Sequence, residues 1–165
     1  MEEVTISKKM IKYNGIFSLG DLYRMLYDLF TGLKYYIEET RYTRKIKPDG
    51  EQVEIIWDCY KKIDDYTRYH FNINVFIVGL KKVQIDVGGK KVSKNTGDIT
   101  VTIKAGVQTD YLNKWETHPI LKFLKGIYDN YIYAKTLRSW IEKMGEELDY
   151  VSNEIKAFFN MAAYV

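Results

Sequence analysis

The stretch VGGKKVSKNTGD, residues 87–98, contains Gly89-Lys90, the pair that closes a phosphate-cradling loop when the rest of that motif is present. In such a loop, glycine N–H groups and the lysine surround the phosphates, a Ser or Thr follows, and a helix begins. Here Gln84 stands where the earlier glycine is required, Lys91 follows Lys90, and the next run is β-branched. The stretch therefore reads as two tight turns, Gly88-Gly89 and 95–98, with a short strand between them and a basic rim.

The remaining reactive residue types are sparse. His70 and His118 are the only histidines, and neither has a second His, Cys or carboxylate at ligand spacing on its own element, so no metal site is expected. Cys59 alternates with Trp57 and Ile55, which reads as a buried, inert thiol. Glu38-Glu39, Asp64-Asp65 and Glu146-Glu147 are adjacent pairs. Adjacent strand residues point to opposite faces, so they form no general acid–base dyad. Asp64-Asp65 reads as a turn, and Glu146-Glu147 suit the first turn of a second helix. There is no nucleophile elbow and no dinucleotide fingerprint. No catalytic residue, cofactor or metal is assigned, and a non-enzymatic role is expected.

The elements that position these residues follow from periodicity. Residues 3–11 alternate as a first strand, which Asn14-Gly15 is expected to end. Ser18, with Asp21 three residues later, starts a helix whose apolar stripe is Leu19, Leu22, Leu26, Leu29 and Leu33. From about 35 to 105 the period is two. Val53, Ile55, Trp57 and Cys59 share one face, as do Tyr69, Phe71, Ile73, Val75 and Ile77, while Arg68, His70, Asn72 and Asn74 lie on the other. That is an antiparallel sheet with one dry and one wet face. Thr117 or His118 then caps a helix with Pro119 in its first turn. Ile120, Leu124, Ile127, Tyr131 and Ala134, then Leu137, Ile141, Met144, Leu148, Val151, Ile155 and Phe158, continue one stripe over nearly forty residues. It is one long helix or two, divided near Gly145.

The expected fold class is α+β: a curved antiparallel sheet of about six strands packed on a long C-terminal helix, with one short helix after the first strand. Residues 1–145 would form the domain, and 146–165 a helical extension. The chain has 165 residues, one cysteine and a net charge of +3 from 25 basic and 22 acidic side chains. No apolar run approaches the ~20 residues of a membrane span. The absence of a secretory leader and of any internal disulfide leads to a cytoplasmic expectation.

This element order resembles the helix-grip fold of the START and Bet v 1-like superfamily over most of residues 3–145. The last helix ending beyond Gly145, and one helix rather than two after the first strand, depart from that pattern. The resemblance implies a cavity for a hydrophobic small molecule, and no catalytic residue of the family carries over. Inward strand positions and the inner helix face give the cavity candidates Trp57, Tyr69, Phe71, Ile73, Val101, Ile103, Tyr131 and Trp140. The surplus of fifteen Tyr, seven Phe and three Trp fits a cavity, a core or an interface.

The competing reading is a homo-oligomer, or a complex with a protein partner, assembled through the C-terminal helix. Its interface candidates are Leu148, Val151, Ile155, Phe158 and Phe159. Six lysines between 81 and 104 make one corner basic. Lysines at a sheet edge guard against edge pairing, so nucleic acid is not the expected partner.

Overall fold

The computed structural model describes residues 1–164. Five strands, β1 (Glu2–Phe17), β2 (Tyr36–Lys47), β3 (Gly50–Lys62), β4 (Thr67–Val87) and β5 (Lys90–Thr109), form one antiparallel sheet in the order β1-β5-β4-β3-β2. Helix α1 (Leu19–Gly32) carries the chain from β1 at one edge to β2 at the other, and so must cross the sheet face. A meander then returns to pair β5 with β1. Beyond β5 come α2 (Pro119–Ile127), a π-helical turn (Tyr128–Ile132) and α3 (Ala134–Ala162).

The class is α+β, as the periodicities imply, but with five strands rather than six. Residues 90–94, read as a separate strand, belong to β5. Asn95-Thr96-Gly97-Asp98, read as a turn, pairs on both sides: Gly97 faces Gly15 of β1, and Thr96 faces Lys81 of β4. Asn14-Gly15 likewise stays within β1. The structure uses these glycines for closeness rather than reversal. Gly79, at φ 68°, bulges β4, and a Cβ on Gly97 would lie 3.2 Å from the Val78 carbonyl oxygen. The reversal is made at Gly88-Gly89, where φ is 57° and 79°.

One face of the sheet is dry. Val53, Ile55, Trp57 and Cys59 of β3, the odd-numbered residues 69–77 of β4, and Ile99, Val101, Ile103, Ala105 and Val107 of β5 are all buried. Two helices cover them. Ser18 caps α1, accepting the Asp21 N–H at 3.2 Å, and Leu19, Leu22, Leu26 and Phe30 face inward. Helix α3 lays Met144, Leu148, Val151, Ile155 and Phe159 on the same core. Burial of large aliphatic side chains contributes about 1.5–3 kcal/mol each.

No break falls at Gly145, the point where a two-helix reading would divide the stripe. That glycine lies inside α3, and core residues on both sides of it join one apolar cluster. A glycine costs a helix about 1 kcal/mol, which the flanking buried residues outweigh. No domain boundary falls there, and 146–162 belongs to the main body. The actual break is the π-turn, closed by the Tyr133 N–H donating to the Tyr128 carbonyl at 2.7 Å.

Candidate functional site

The space between the sheet and α1 is filled. Six cavity candidates, Trp57, Tyr69, Phe71, Ile73, Val101 and Ile103, are buried side by side on the dry face. Trp140 is half-buried and meets Tyr69 edge-on, with the Tyr69 hydroxyl donating to the Trp140 carbonyl at 3.1 Å. The void bordered by α1 and by Ile55, Trp57, Ile73 and Val75 measures about 10 Å³. That is about one water probe in volume and apolar on its walls, far below the ~300 Å³ of a small-molecule site. Tyr131 is apart from the other candidates, 83% exposed. Of the interface candidates, Leu148, Val151, Ile155 and Phe159 are buried in the chain's own core and Phe158 packs against it.

The wet face carries a polar cluster that sequence spacing could not show, because its members come from three strands. Nδ1 of His70 lies 2.8 Å from Glu3 Oε1, and Nε2 lies 2.8 Å from Asp58 Oδ1. Tyr60 stacks on the ring, and Arg68 lies over Tyr60 with its Cζ 4.2 Å from the ring centre. With a carboxylate beside each ring nitrogen, the arrangement clasps β1, β3 and β4 together. Cys59 lies on the opposite face. Burial pushes its thiol up to about 12, with Asp58 adding to the effect. A thiol held protonated is a poor nucleophile. Among the described residues, no three His, Cys, Asp or Glu side chains are grouped to hold a metal ion.

The third region is α2, and it is built against the usual rule. His118 caps it, Nδ1 accepting the Ile120 N–H at 3.3 Å, and Pro119 occupies the first turn. Its one buried side chain is a lysine: Lys125 is 4% exposed, pairing with Glu2 and Asp129, each at 3.1 Å. Burial alone would lower the Lys125 pKa, but the hydrogen bonds to Asp129 and Glu2 outweigh it and hold the ammonium above its ordinary value.

Around Asp129 and the π-turn lies an aromatic cluster. Tyr128 stacks between Trp115 and Tyr133, with ring centres 5.7 and 5.4 Å away. Tyr66 donates to Asp129 at 2.5 Å, and its hydroxyl is raised well above the ordinary tyrosine range, by burial first and then by Asp129. The Tyr133 hydroxyl is buried on Thr67. These contacts fix which side of α2 faces the body.

The stripe read as core therefore points outward on α2. Ile120, Phe123, Leu124 and Ile127 are exposed, as are Tyr131 and Ile132 in the π-turn, with Phe123 at 70%. The spacing did show an amphipathic helix, but it overlooked Lys125, Asp129, Tyr66, Tyr128 and Tyr133, which decide its orientation. A residue pair at i and i+4, Lys125 and Asp129, was the one local signal available. No helix in the described residues is long and apolar enough to cross a membrane. Comparison with family models, with curated proteins and with solved structures gives no match in any of the three.

Proposed function

We propose that this is a non-catalytic interaction protein, a two-layer platform that holds α2 with its apolar face outward to dock on a partner surface. The observation that carries this is the inverted helix: a lysine buried on the body side, and Ile120, Phe123, Leu124 and Ile127 on the solvent side. A contiguous exposed apolar patch on an otherwise well-packed chain marks an interaction surface. The partner is one of apolar surface bordered by negative charge, because the unpaired charges around α2 are positive. The reading shares the interaction role expected of the C-terminal helix but moves it from α3 to α2.

A helix-grip relationship draws support from the order strand, helix, meander, long helix. Holding a hydrophobic molecule beneath α1, as that relationship implies, would require α1 to lift from Trp57 and Ile73, because the present void is too small.

Melting of the Phe123→Ser/Ile127→Ser double variant tests the docking role. A face held free for a partner contributes nothing to the isolated fold, so the melting temperature stays within about 2 °C of the parent. A fall of ten degrees would show that the chain itself uses these side chains, and would sink the proposal.

A further inference from the structure

We propose that the surface on which α2 docks is an anionic lipid bilayer, with the helix lying in the plane of the headgroups. The inference rests on the docking role argued above and names its partner. Two observations carry it.

The first is charge. Residues 111–139 carry Lys114, Lys122, Lys125, Lys135 and Arg138 against Glu116 and Asp129. Asp129 shares Lys125 with Glu2, and Glu116 lies 2.7 Å from the Met1 nitrogen, so each of these carboxylates has a cationic partner. Among the described residues, Lys114, Lys122, Lys135 and Arg138 are exposed and in no ion pair. Beyond these pairs, the free charges of the segment that carries the apolar face are positive, four cations against one shared carboxylate. A second copy docked symmetrically on α2 would bring those like charges together without compensation. A bilayer with anionic headgroups meets them with opposite charge.

The second is shape and composition. The outward residues are large aliphatics and aromatics on a convex helix: Ile120, Phe123, Leu124, Ile127, Tyr131 and Ile132. In-plane membrane helices have this make-up, an aromatic and aliphatic face with Lys or Arg on the polar side. Such a helix needs no shaped groove in its partner. The buried Lys125 and Tyr133 tie the segment to the sheet through Glu2 of β1 and Thr67 of β4, so insertion of the outer face requires no unfolding.

The full chain is to be sedimented with vesicles of phosphatidylcholine, and with vesicles of an equal mixture of phosphatidylcholine and phosphatidylglycerol. Binding to the mixed vesicles is expected, with little or none to the neutral ones. The Phe123→Ser/Ile127→Ser variant should lose binding while remaining folded by circular dichroism. A Lys122→Gln/Lys135→Gln/Arg138→Gln variant, which leaves the apolar face intact, should weaken it by roughly a hundredfold, at about fivefold per cation. Lys90→Gln/Lys91→Gln, on the hairpin at the far end of β5, should bind as the parent does.

Three results would overturn the lipid assignment: binding that survives loss of Phe123 and Ile127, binding lost through Lys90 and Lys91, or no binding to either vesicle. If no vesicle binds while the Phe123→Ser/Ile127→Ser variant keeps its melting temperature, the docking role stands and its partner is an acidic protein surface instead.

Discussion

Helices α2 and α3 come from one unbroken apolar stripe and meet opposite fates. In α3, Met144, Leu148, Val151, Ile155 and Phe159 are buried in the core, the helix lying against β1 and β5. In α2, the equivalent positions Ile120, Leu124 and Ile127 face water, and Lys125 is buried. Both helices are held by the same device, a tyrosine just ahead of a strand donating to a carboxylate, Glu147 within α3 and Asp129 in the π-turn that follows α2. Tyr35 reaches Glu147 at 2.5 Å, where Lys61 also pairs at 2.6 Å, and Tyr66 reaches Asp129 at 2.5 Å. The difference is which flank of the helix the clasp engages. Glu147 lies beside the α3 stripe and pulls it inward. Asp129 lies away from the α2 stripe and turns it out. An apolar stripe specifies a face, and the polar anchors decide where that face looks.

The largest test of this contrast is Leu148→Ala. A buried leucine replaced by alanine loses its transfer energy and leaves a cavity, so a loss of about 2–5 kcal/mol is expected in urea unfolding. A loss below about 1 kcal/mol would mean that α3 is not held by its stripe. The matching truncation on α2, at Phe123 and Ile127, is the near-neutral one described above.

The anchor of α2 should come next in size. Lys125→Met removes the ammonium but keeps much of the stem, leaving Asp129 half-buried without its cation. Glu2 is largely exposed, so its lost pairing matters little. We expect about 1–3 kcal/mol of destabilisation, with faster amide exchange in residues 119–132 than in α3. Equal exchange in both helices would show that the pair does not orient α2.

The smallest effect at neutral pH, and a growing one in alkali, concerns the clasps. Tyr35 and Tyr66 both lie above the ordinary tyrosine range, burial being the larger cause and the Glu147 or Asp129 carboxylate the next. Tyr69 is pushed up to about 12 by burial first, then Glu147. Each raised hydroxyl keeps its proton in the fold when the unfolded chain has lost it. Their contribution is therefore complete below about pH 10 and declines as pH rises beyond it. Stability should be flat from pH 7 to about 9 and fall above 10. With Tyr35→Phe and Tyr66→Phe together, the fall should be shallower. An unchanged slope would mean that these two hydroxyls are not held as described.

Much of the architecture was legible locally. The period-two run marked the dry face from Val53 to Ile103, and Ser18 and His118 stood at helix starts. The glycines misled. Asn14-Gly15 and Asn95-Thr96-Gly97-Asp98 carry turn signals, yet Gly15 and Gly97 pair across β1 and β5; Gly97 is bare because the Gly79 bulge lies beside it, and Gly15 because the Tyr13 ring does. Gly145 looked like a stop, and the core on both sides of it carried the helix through. The His70 clasp was out of reach, since Glu3, Asp58 and His70 meet only once β1, β3 and β4 are aligned.

The order of residue types alone determined a half-dry antiparallel sheet, an amphipathic helix after its first strand, and a long apolar stripe at the end of the chain. Those follow from side-chain alternation and the 3.6-residue turn, which act between near neighbours. Which way each stretch of that stripe faces was decided only by contacts far apart in the chain: Glu2 with Lys125, Tyr66 with Asp129, Tyr35 with Glu147. A local pattern fixes relative orientation within a helix, whereas rotation about its axis is set by what the rest of the fold places beside it.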